Sequence, residues 1–333
     1  EGEQTSWGSR ARVGNTQAAF HVLHTLTTDK AHWHAGISMS LFGASQVPQR
    51  EFSYLDRTYT LETGELPNTS GRAGHAVLGL GSWTKTGRHI SWSLRLSDVR
   101  QGMFPGVVGL PMQGDLAPND RTFEVRLPNQ RASRLQTVMQ WSAPHSKQSQ
   151  GWVYKVSTSW NRRQELAPPH AHGWGPLPSS DLSLSLEEIA GFAEARHTGA
   201  HGSFGVQTEI QQVGTAGWEF LLPSHLRVRA SAMGEARLAG SMLSCRLDVI
   251  QASQVGHMEP LFNAVGDVVG DDVRAMPFDK TLPGGMVSWQ SPLRFERPAL
   301  DGLVTVVAYG RVPSSHEWGA NGIHHGSFRF EQG

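Results

Sequence analysis

The segment Trp152-Val-Tyr-Lys-Val-Ser-Thr-Ser-Trp160 decides the fold class of this chain. Its side chains split onto two faces, as the two-residue repeat of a β-strand requires. Val, Tyr, Thr and Trp are also the residue types that strands favour. The segment therefore predicts a β-strand.

Comparable short segments recur along the whole chain between Gly, Pro and Asn residues. In the first half they are Gly36–Phe42, Phe52–Leu61, His75–Leu80, His89–Leu96, Thr122–Leu127 and Leu135–Trp141. In the second half they are Gly205–Gln211, Leu226–Ala232, Ser241–Ile250, Met286–Phe295, Leu303–Tyr309 and Ser327–Phe330. Strands at this density, without long helices between them, predict an all-β fold and not a βαβ fold.

Two segments are expected to form short accessory helices. Thr16–Leu26 follows Asn15, which is a suitable N-cap, and it carries Phe20 and Leu23 at helical spacing. Leu186–Arg196 follows a sequence with the spacing of a capping box, Ser185-Leu-Glu-Glu188. Each is too short to be more than an addition to the sheets.

The chain shows signs of an internal duplication. Aligning His34 with His201 gives an offset of 167 residues, about half of the 333-residue length, and several later segments match at similar offsets. Short β segments resemble one another, so coincidence remains the alternative. A Pro- and Gly-rich stretch at about 161–180 would then link two domains, residues 1–165 and 166–333.

The composition excludes several classes of protein. Lys+Arg and Asp+Glu are 29 each, so the net charge is zero, and no basic tail is present to bind nucleic acid. No apolar run approaches the ~18 residues of a membrane-spanning helix, so no membrane partner is expected. A single cysteine, Cys245, excludes internal disulfides and a cysteine-based zinc cluster.

Three features resemble the capsid proteins of icosahedral picorna-like viruses. These are the helix and strand of Ala18–Phe42, the entry strand Met286–Leu293 and the closing hairpin of Asp301–Gly310 with Gly322–Glu331. Two β domains of about 165 residues are similar to tandem jelly rolls, and the length is similar to the large, two-jelly-roll coat protein of comovirus-like plant viruses.

The resemblance implies a structural protein of the virion with no catalysis and no cofactor. Its partners would be copies of itself, a second, smaller coat protein and genomic RNA inside the shell. For RNA or interface contacts the candidates are Arg162, Arg163, Arg227 and Arg229, with ordinary surface charge as the alternative explanation.

Several residues are of the types that support catalysis or metal binding. His32 and His34 would share one face of a strand, but no third ligand accompanies them, so no metal site is predicted. Cys245 lies in an apolar strand and is expected to be a small buried hydrophobe. His170, His172 and the pair His324-His325 are expected in loops, and the carboxylates considered as a catalytic pair are Glu187, Glu188, Asp267, Asp271, Asp272 and Glu317.

Two other classes of function remain open from the sequence. One is a β-sandwich enzyme acting on carbohydrates, with tryptophans as sugar platforms and two facing carboxylates. The other is a lectin-like binding protein. Assembly into shells would favour the coat protein, whereas a monomer with a tryptophan-lined groove would favour the alternatives.

Overall fold

The protein is all-β. The computed structural model describes residues 4–14, 17–54, 57–107, 113–144, 151–171, 173–238, 241–294, 301–310, 322–323 and 330–331. The helical elements in these ranges are two 3₁₀ turns, Pro105–Val107 and Gln113–Leu116. Within the described ranges, no helix has the length and hydrophobicity needed to cross a bilayer.

The strands follow one another closely along the chain. The first eleven are β1 (Gln4–Gly14), β2 (Gln17–Thr27), β3 (Ala31–Phe42), β4 (Ser45–Gln46), β5 (Glu51–Tyr54), β6 (Arg57–Thr60), β7 (Glu65–Leu66), β8 (Gly71–Trp83), β9 (His89–Gly102), β10 (Asn129–Pro144) and β11 (Gly151–Leu166). The others are β12 (Leu182–Thr198), β13 (Gly202–Ala216), β14 (His225–Leu238), β15 (Ser241–Gln254), β16 (His257–Phe262), β17 (Val268–Ala275), β18 (Phe278–Arg294), β19 (Asp301–Gly310), β20 (Gly322–Ile323) and β21 (Phe330–Glu331).

Thirteen of these strands form one antiparallel sheet in the order β1-β2-β3-β8-β9-β10-β11-β12-β13-β14-β15-β18-β19. Each strand between the terminal strands β1 and β19 pairs with the sheet strand before it and the one after it along the chain. The short strands β4–β7 and the hairpin β16–β17 are insertions between neighbouring sheet strands. A sheet built this way uses only local connections.

With the exception of the two-residue link 15–16, the connections are longer at one end of the sheet than at the other. At one end, called here the short-connection end, the links are 28–30, 84–88, 145–150, 199–201, 239–240 and 295–300. At the opposite, long-connection end, the links are 15–16, 43–70, 103–128, 167–181, 217–224 and 255–277. All the inserted strands and both 3₁₀ turns therefore lie at the long-connection end.

Most of the buried hydrophobic residues also lie at the long-connection end. Tyr59, Leu61 and Leu116 form a buried cluster, and partly buried Phe52 and Phe104 pack against it. These residues come from links 43–70 and 103–128, not from the middle of the large sheet. Among the described residues, this cluster of buried hydrophobic side chains is therefore formed by connecting links. We call it the loop core.

Asn68 joins these two links. It is 2% exposed and has a positive φ of 57°, a conformation that Asn tolerates better than most residues. Its side-chain amide donates to the carbonyl oxygens of Met103 at 3.0 Å and Pro128 at 2.6 Å, and its side-chain oxygen accepts from the Arg126 N–H at 2.8 Å. A single buried side chain therefore satisfies three backbone groups across the loop core.

Both predicted accessory helices are wrong. Thr16–Leu26 coincides largely with β2, and Leu186–Arg196 lies inside β12. Each segment pairs along its length with strands on both sides, β1 and β3 in the first case and β11 and β13 in the second. Short apolar patterns do not separate helix from strand, and pairing on two sides decides in favour of strand.

The all-β class is confirmed, but the two jelly rolls are not. A jelly roll pairs strands that are distant along the chain, whereas the large sheet pairs successive sheet strands. Thr122–Leu127 is not a strand, and Ser327–Phe330 lies largely outside the described residues. Residues 161–166 of the expected linker belong to β11, while the division into 1–165 and 166–333 stays a prediction.

Candidate functional site

One face of the large sheet carries its exposed apolar side chains. We call this side, which includes Tyr154 and Val156, the apolar face; the opposite side, which includes Lys155 and Ser157, is the polar face. The register of the pairs assigns every strand residue to one of the two.

Among the exposed large hydrophobic residues of the sheet up to residue 290, only Trp83 and Met286 lie on the polar face. Those on the apolar face are Trp7, Val13, Phe20, Ile37, Met39, Leu41, Leu80, Ile90, Leu96, Leu135, Met139, Tyr154, Val156, Ile189, Phe204, Val206, Ile210, Leu226, Leu238, Leu243, Leu247, Val249, Val287 and Trp289. The apolar surface is therefore continuous across the sheet and is not a set of scattered residues.

The polar face carries most of the sheet's charges. Up to residue 290, its cationic residues are Arg10, Arg12, Arg95, Arg134, Lys155, Arg163, Arg196, Arg227, Arg229, Arg237, Arg246 and Lys280. Its anionic residues are Glu165, Glu188, Glu194, Glu209, Glu235 and Asp248.

Burial follows the opposite order from that of a water-soluble sheet. In β11, Tyr154, Val156 and Thr158 are exposed, whereas the alternating Lys155 and Ser157 are half-buried. Strand β3 repeats this pattern, with Ile37 and Met39 exposed and the serines between and beyond them half-buried. In these two segments, apolar side chains thus occupy the more exposed positions and polar side chains the more shielded ones.

Charges on the apolar face are confined to the long-connection end. In the described sheet up to residue 290, the charged residues on this face are Arg72, Asp98, Arg100, Arg131, Arg162, Glu187 and Asp279. Each lies in the part of its strand that is nearest to a long connection. The rest of the face forms a charge-free band, which in β11 extends from Trp152 to Trp160.

Aromatic rings gather on the apolar face at the short-connection end. His24 lies between Trp7 and Trp33, with ring centroids 3.9 Å and 4.4 Å away. On β10–β13, Trp141 contacts Tyr154 at 5.1 Å, and Trp152 contacts Phe204 at 5.5 Å. The charge-free band is therefore bordered by aromatic rings at one end and by charges at the other.

Ion pairs cross the polar face between β12 and β15. Asp248 accepts from Arg229 at 3.0 Å and from Arg246 at 2.9 Å. Arg196 lies 2.9 Å from Glu235. With side chains of Arg229 and Asp248 only 20% and 13% exposed, the Asp248 group is the most shielded of these pairs.

A cavity of ≈ 860 Å³ lies at the long-connection end, bordered by three links, one of which contains the β16–β17 hairpin. Phe220 stacks on His257 with centroids 4.5 Å apart, and His257 lies 3.1 Å from Glu259. Arg274 bridges Glu259 at 3.2 Å and Asp272 at 2.9 Å. These contacts pair His257, Glu259, Asp272 and Arg274 with one another within the hairpin.

The four candidate arginines do not form one cluster. Arg162 and Arg163 are successive residues of β11 and point to the apolar and polar faces respectively. Arg227 and Arg229 both point to the polar face from β14. Arg229 is occupied by Asp248 and Glu209, and Arg163 by Glu165, so these two arginines are engaged within the sheet.

The two histidines considered as metal ligands share the polar face, as the strand spacing predicts. His34 and His32 lie directly against Gly79 and Gly81, where an added Cβ would collide with the imidazole rings. His32 also packs against Trp83 and His89. Among the described residues, no group of three His, Cys, Asp or Glu side chains has a geometry suited to a metal ion.

The other residues singled out in the sequence are dispersed. Glu187 accepts from the Trp160 indole at 2.7 Å on the apolar face, while Glu188 accepts from Asn161 at 2.9 Å on the polar face. Cys245 is half-buried on the apolar face, which is more exposed than the sequence indicates. Asp267 lies in the exposed turn before β17, Asp271 and Asp272 lie in β17, and His170 lies in link 167–181; His172, Glu317, His324 and His325 are outside the described residues.

Comparison with known proteins does not establish a family for this chain. No protein-family model matches the chain, and no curated protein matches it. The beta domain of the Bordetella autotransporter Brka is similar at 11% identity and a TM-score of 0.23, with 74% of this chain and 90% of that chain covered. A TM-score this low does not establish a shared fold.

Proposed function

We propose that this chain is an integral membrane protein whose apolar face lies against lipid and whose polar face borders water. The observation that carries the proposal is the inverted pattern of the large sheet. In β3 and in the middle of β11, exposed positions hold large apolar side chains, while the half-buried positions between them hold serine and lysine.

Such a pattern is unfavourable in water. A water-soluble antiparallel sheet buries its apolar face and presents its polar face to solvent. Contiguous apolar patches on soluble monomers rarely exceed several hundred Å², whereas this apolar surface extends from β1 to β18. Hydrocarbon would be the matching solvent for it, and sheets in membranes alternate apolar residues toward lipid with polar residues away from it.

The dimensions of the charge-free band support the same proposal. A membrane-spanning strand needs about 9–11 residues when it is tilted, and Trp152 to Trp160 spans nine positions of β11. Aromatic rings border the band at the short-connection end. Amphipathic aromatic residues favour the level of the lipid headgroups.

The proposal also requires that the backbone groups at the two edges of the sheet be paired. Backbone N–H and C=O groups inside a bilayer must all be paired, because each unpaired group costs several kcal/mol. Strands β2 to β18 of the large sheet have a partner on each side, whereas β1 and β19 each have one partner among the described residues. The second edge of β1 and of β19 must therefore be paired as well when the sheet lies in lipid.

Reconstitution of the full chain tests this proposal. The protein is refolded from urea in the presence of phosphatidylcholine vesicles, which are then washed at alkaline pH and floated on a density gradient. An integral protein stays with the vesicles after the wash. Release of folded protein into the wash, or efficient folding into soluble particles without lipid or detergent, would contradict the proposal.

The coat-protein function remains the second candidate. The observation in its favour is again the apolar face, which copies of the chain would cover in an assembled shell. It would further require the two-jelly-roll arrangement. Negative-stain microscopy of the lipid-free protein separates the candidates, since closed shells would favour the coat protein and dependence on detergent the membrane protein.

A further inference from the structure

We propose that the polar face passes small anions across the membrane in preference to cations. This inference rests on the proposed membrane function and adds to it a class of solute. It comes from the distribution of charge on the polar face and from one cavity on that face.

The charge of the polar face differs from that of the whole chain. The chain carries equal numbers of basic and acidic residues, 29 of each. In the described sheet up to residue 290, the polar face carries 12 cationic and six anionic residues. The surface that would border water inside the membrane is therefore net positive, although the protein is neutral.

The carboxylates of this face are mostly engaged within the sheet. Asp248 and Glu209 contact Arg229, and Glu235 contacts Arg196. Glu188 accepts from two neutral amides, those of Asn161 at 2.9 Å and Gln211 at 2.7 Å. All six acidic residues of the polar face lie on β11 to β15, so in the strands before β11 the charged residues of this face are cations alone.

A cavity of ≈ 290 Å³ lies on that cationic part of the face. Arg95 and Arg134 line it together with His21 and His75, and no carboxylate lines it. Neither arginine forms an ion pair with a described residue, and both side chains are exposed. Arg229 already contacts two carboxylates, whereas these two guanidinium groups can pair with a solute anion.

Such an arrangement discriminates between ions by sign. Low-dielectric walls focus the field of the charges that line a cleft and raise the local concentration of counter-ions. Rings of Arg and Lys serve as selectivity elements in anion pores. Arg95 and Arg134 would attract chloride or phosphate and repel potassium.

Reversal potentials measured across planar bilayers test the inference. The full chain is inserted into bilayers that separate two concentrations of KCl, and the chloride-to-potassium permeability ratio is determined. We expect a ratio above one for the unmodified chain. In the variant with both Arg95→Gln and Arg134→Gln the ratio should fall to one or below, whereas Arg131→Gln, on the apolar face, should leave it unchanged.

The outcomes separate this inference from the proposed function. Protein that floats with washed vesicles but conducts no ions, or that prefers potassium, overturns the anion preference and leaves the membrane proposal intact. If the chloride-to-potassium permeability ratio is unchanged in the double variant, Arg95 and Arg134 do not select for anions. Failure to insert into vesicles contradicts the proposed function, and the inference falls with it.

Discussion

The large sheet and the loop core at the long-connection end follow opposite rules. In the loop core, Tyr59, Leu61 and Leu116 are at most 3% exposed, as in any water-soluble domain. In the sheet, residues of the same kind, such as Ile37 and Val156, are 48% and 52% exposed. One chain thus contains one region organised for water and another organised, on our proposal, for lipid.

The largest expected effect comes from placing a charge in the middle of the charge-free band. Val156→Arg should lower the free energy of unfolding in vesicles by about 2–4 kcal/mol, the cost of a basic residue near the bilayer centre. Urea unfolding followed by tryptophan fluorescence measures the change. The matched control is Ser157→Arg, at the next residue, which lies on the polar face. It should lower the free energy of unfolding much less. Equal decreases for the two variants would contradict the assignment of one face to lipid and the other to water.

In the loop core, truncation should act as it does in a soluble protein. Leu61→Ala leaves a cavity in a side-chain cluster that is almost fully buried. The expected local loss is about 2–3 kcal/mol, seen as faster hydrogen exchange in links 43–70 and 103–128 while the strands stay protected. Leu177→Ala, in an exposed part of link 167–181, is the control; loss of protection in the sheet as well would show that the two regions are not separate.

A smaller effect is expected from the shielded ion pairs on the polar face. Asp248→Asn removes the charge that holds Arg229 and Arg246 and should cost about 1–2 kcal/mol, between the values for exposed and fully buried pairs. Asp267→Asn, in the exposed turn between β16 and β17, provides the comparison. If both variants unfold at the same urea concentration as the unmodified protein, the polar-face network contributes no stability.

The smallest effect is expected at the charged border of the apolar face. Arg131 lies 2.9 Å from Asp98, but their side chains are 55% and 45% exposed. Arg131→Gln should therefore change the free energy of unfolding by less than about 1 kcal/mol. A larger loss of unfolding free energy in the same urea titration would show that this pair is more shielded from water than its exposure indicates.

Alternation along single strands was the most reliable signal in the sequence. It predicts the strands at His89–Leu96 and Trp152–Trp160, both of which lie within sheet strands. The two histidines of β3 share a face for the same reason. The period of two is a local property of extended backbone, so one segment suffices to reveal it.

Other features could not be obtained in this way. Apolar residues that alternate with polar ones never form a long apolar run, so the sequence predicts no membrane-spanning helix and no membrane partner. The apolar face arises only when the register joins residues such as Ile37 and Leu96 across strands. The pairing of strands also explains why β2 and β12 are not helices. Strand partners on both sides override a helix-like pattern of apolar residues, and a single segment does not reveal those partners.

Spin labels placed singly at residues 153 to 159 in a Cys245→Ala background test the central claim most directly. In vesicles, we predict that collisions with oxygen, which dissolves in lipid, are frequent at positions 154, 156 and 158. Collisions with a water-soluble nickel complex should be frequent at positions 153, 155, 157 and 159. Equal accessibility at successive positions, or the opposite alternation, would contradict a sheet with one face in lipid.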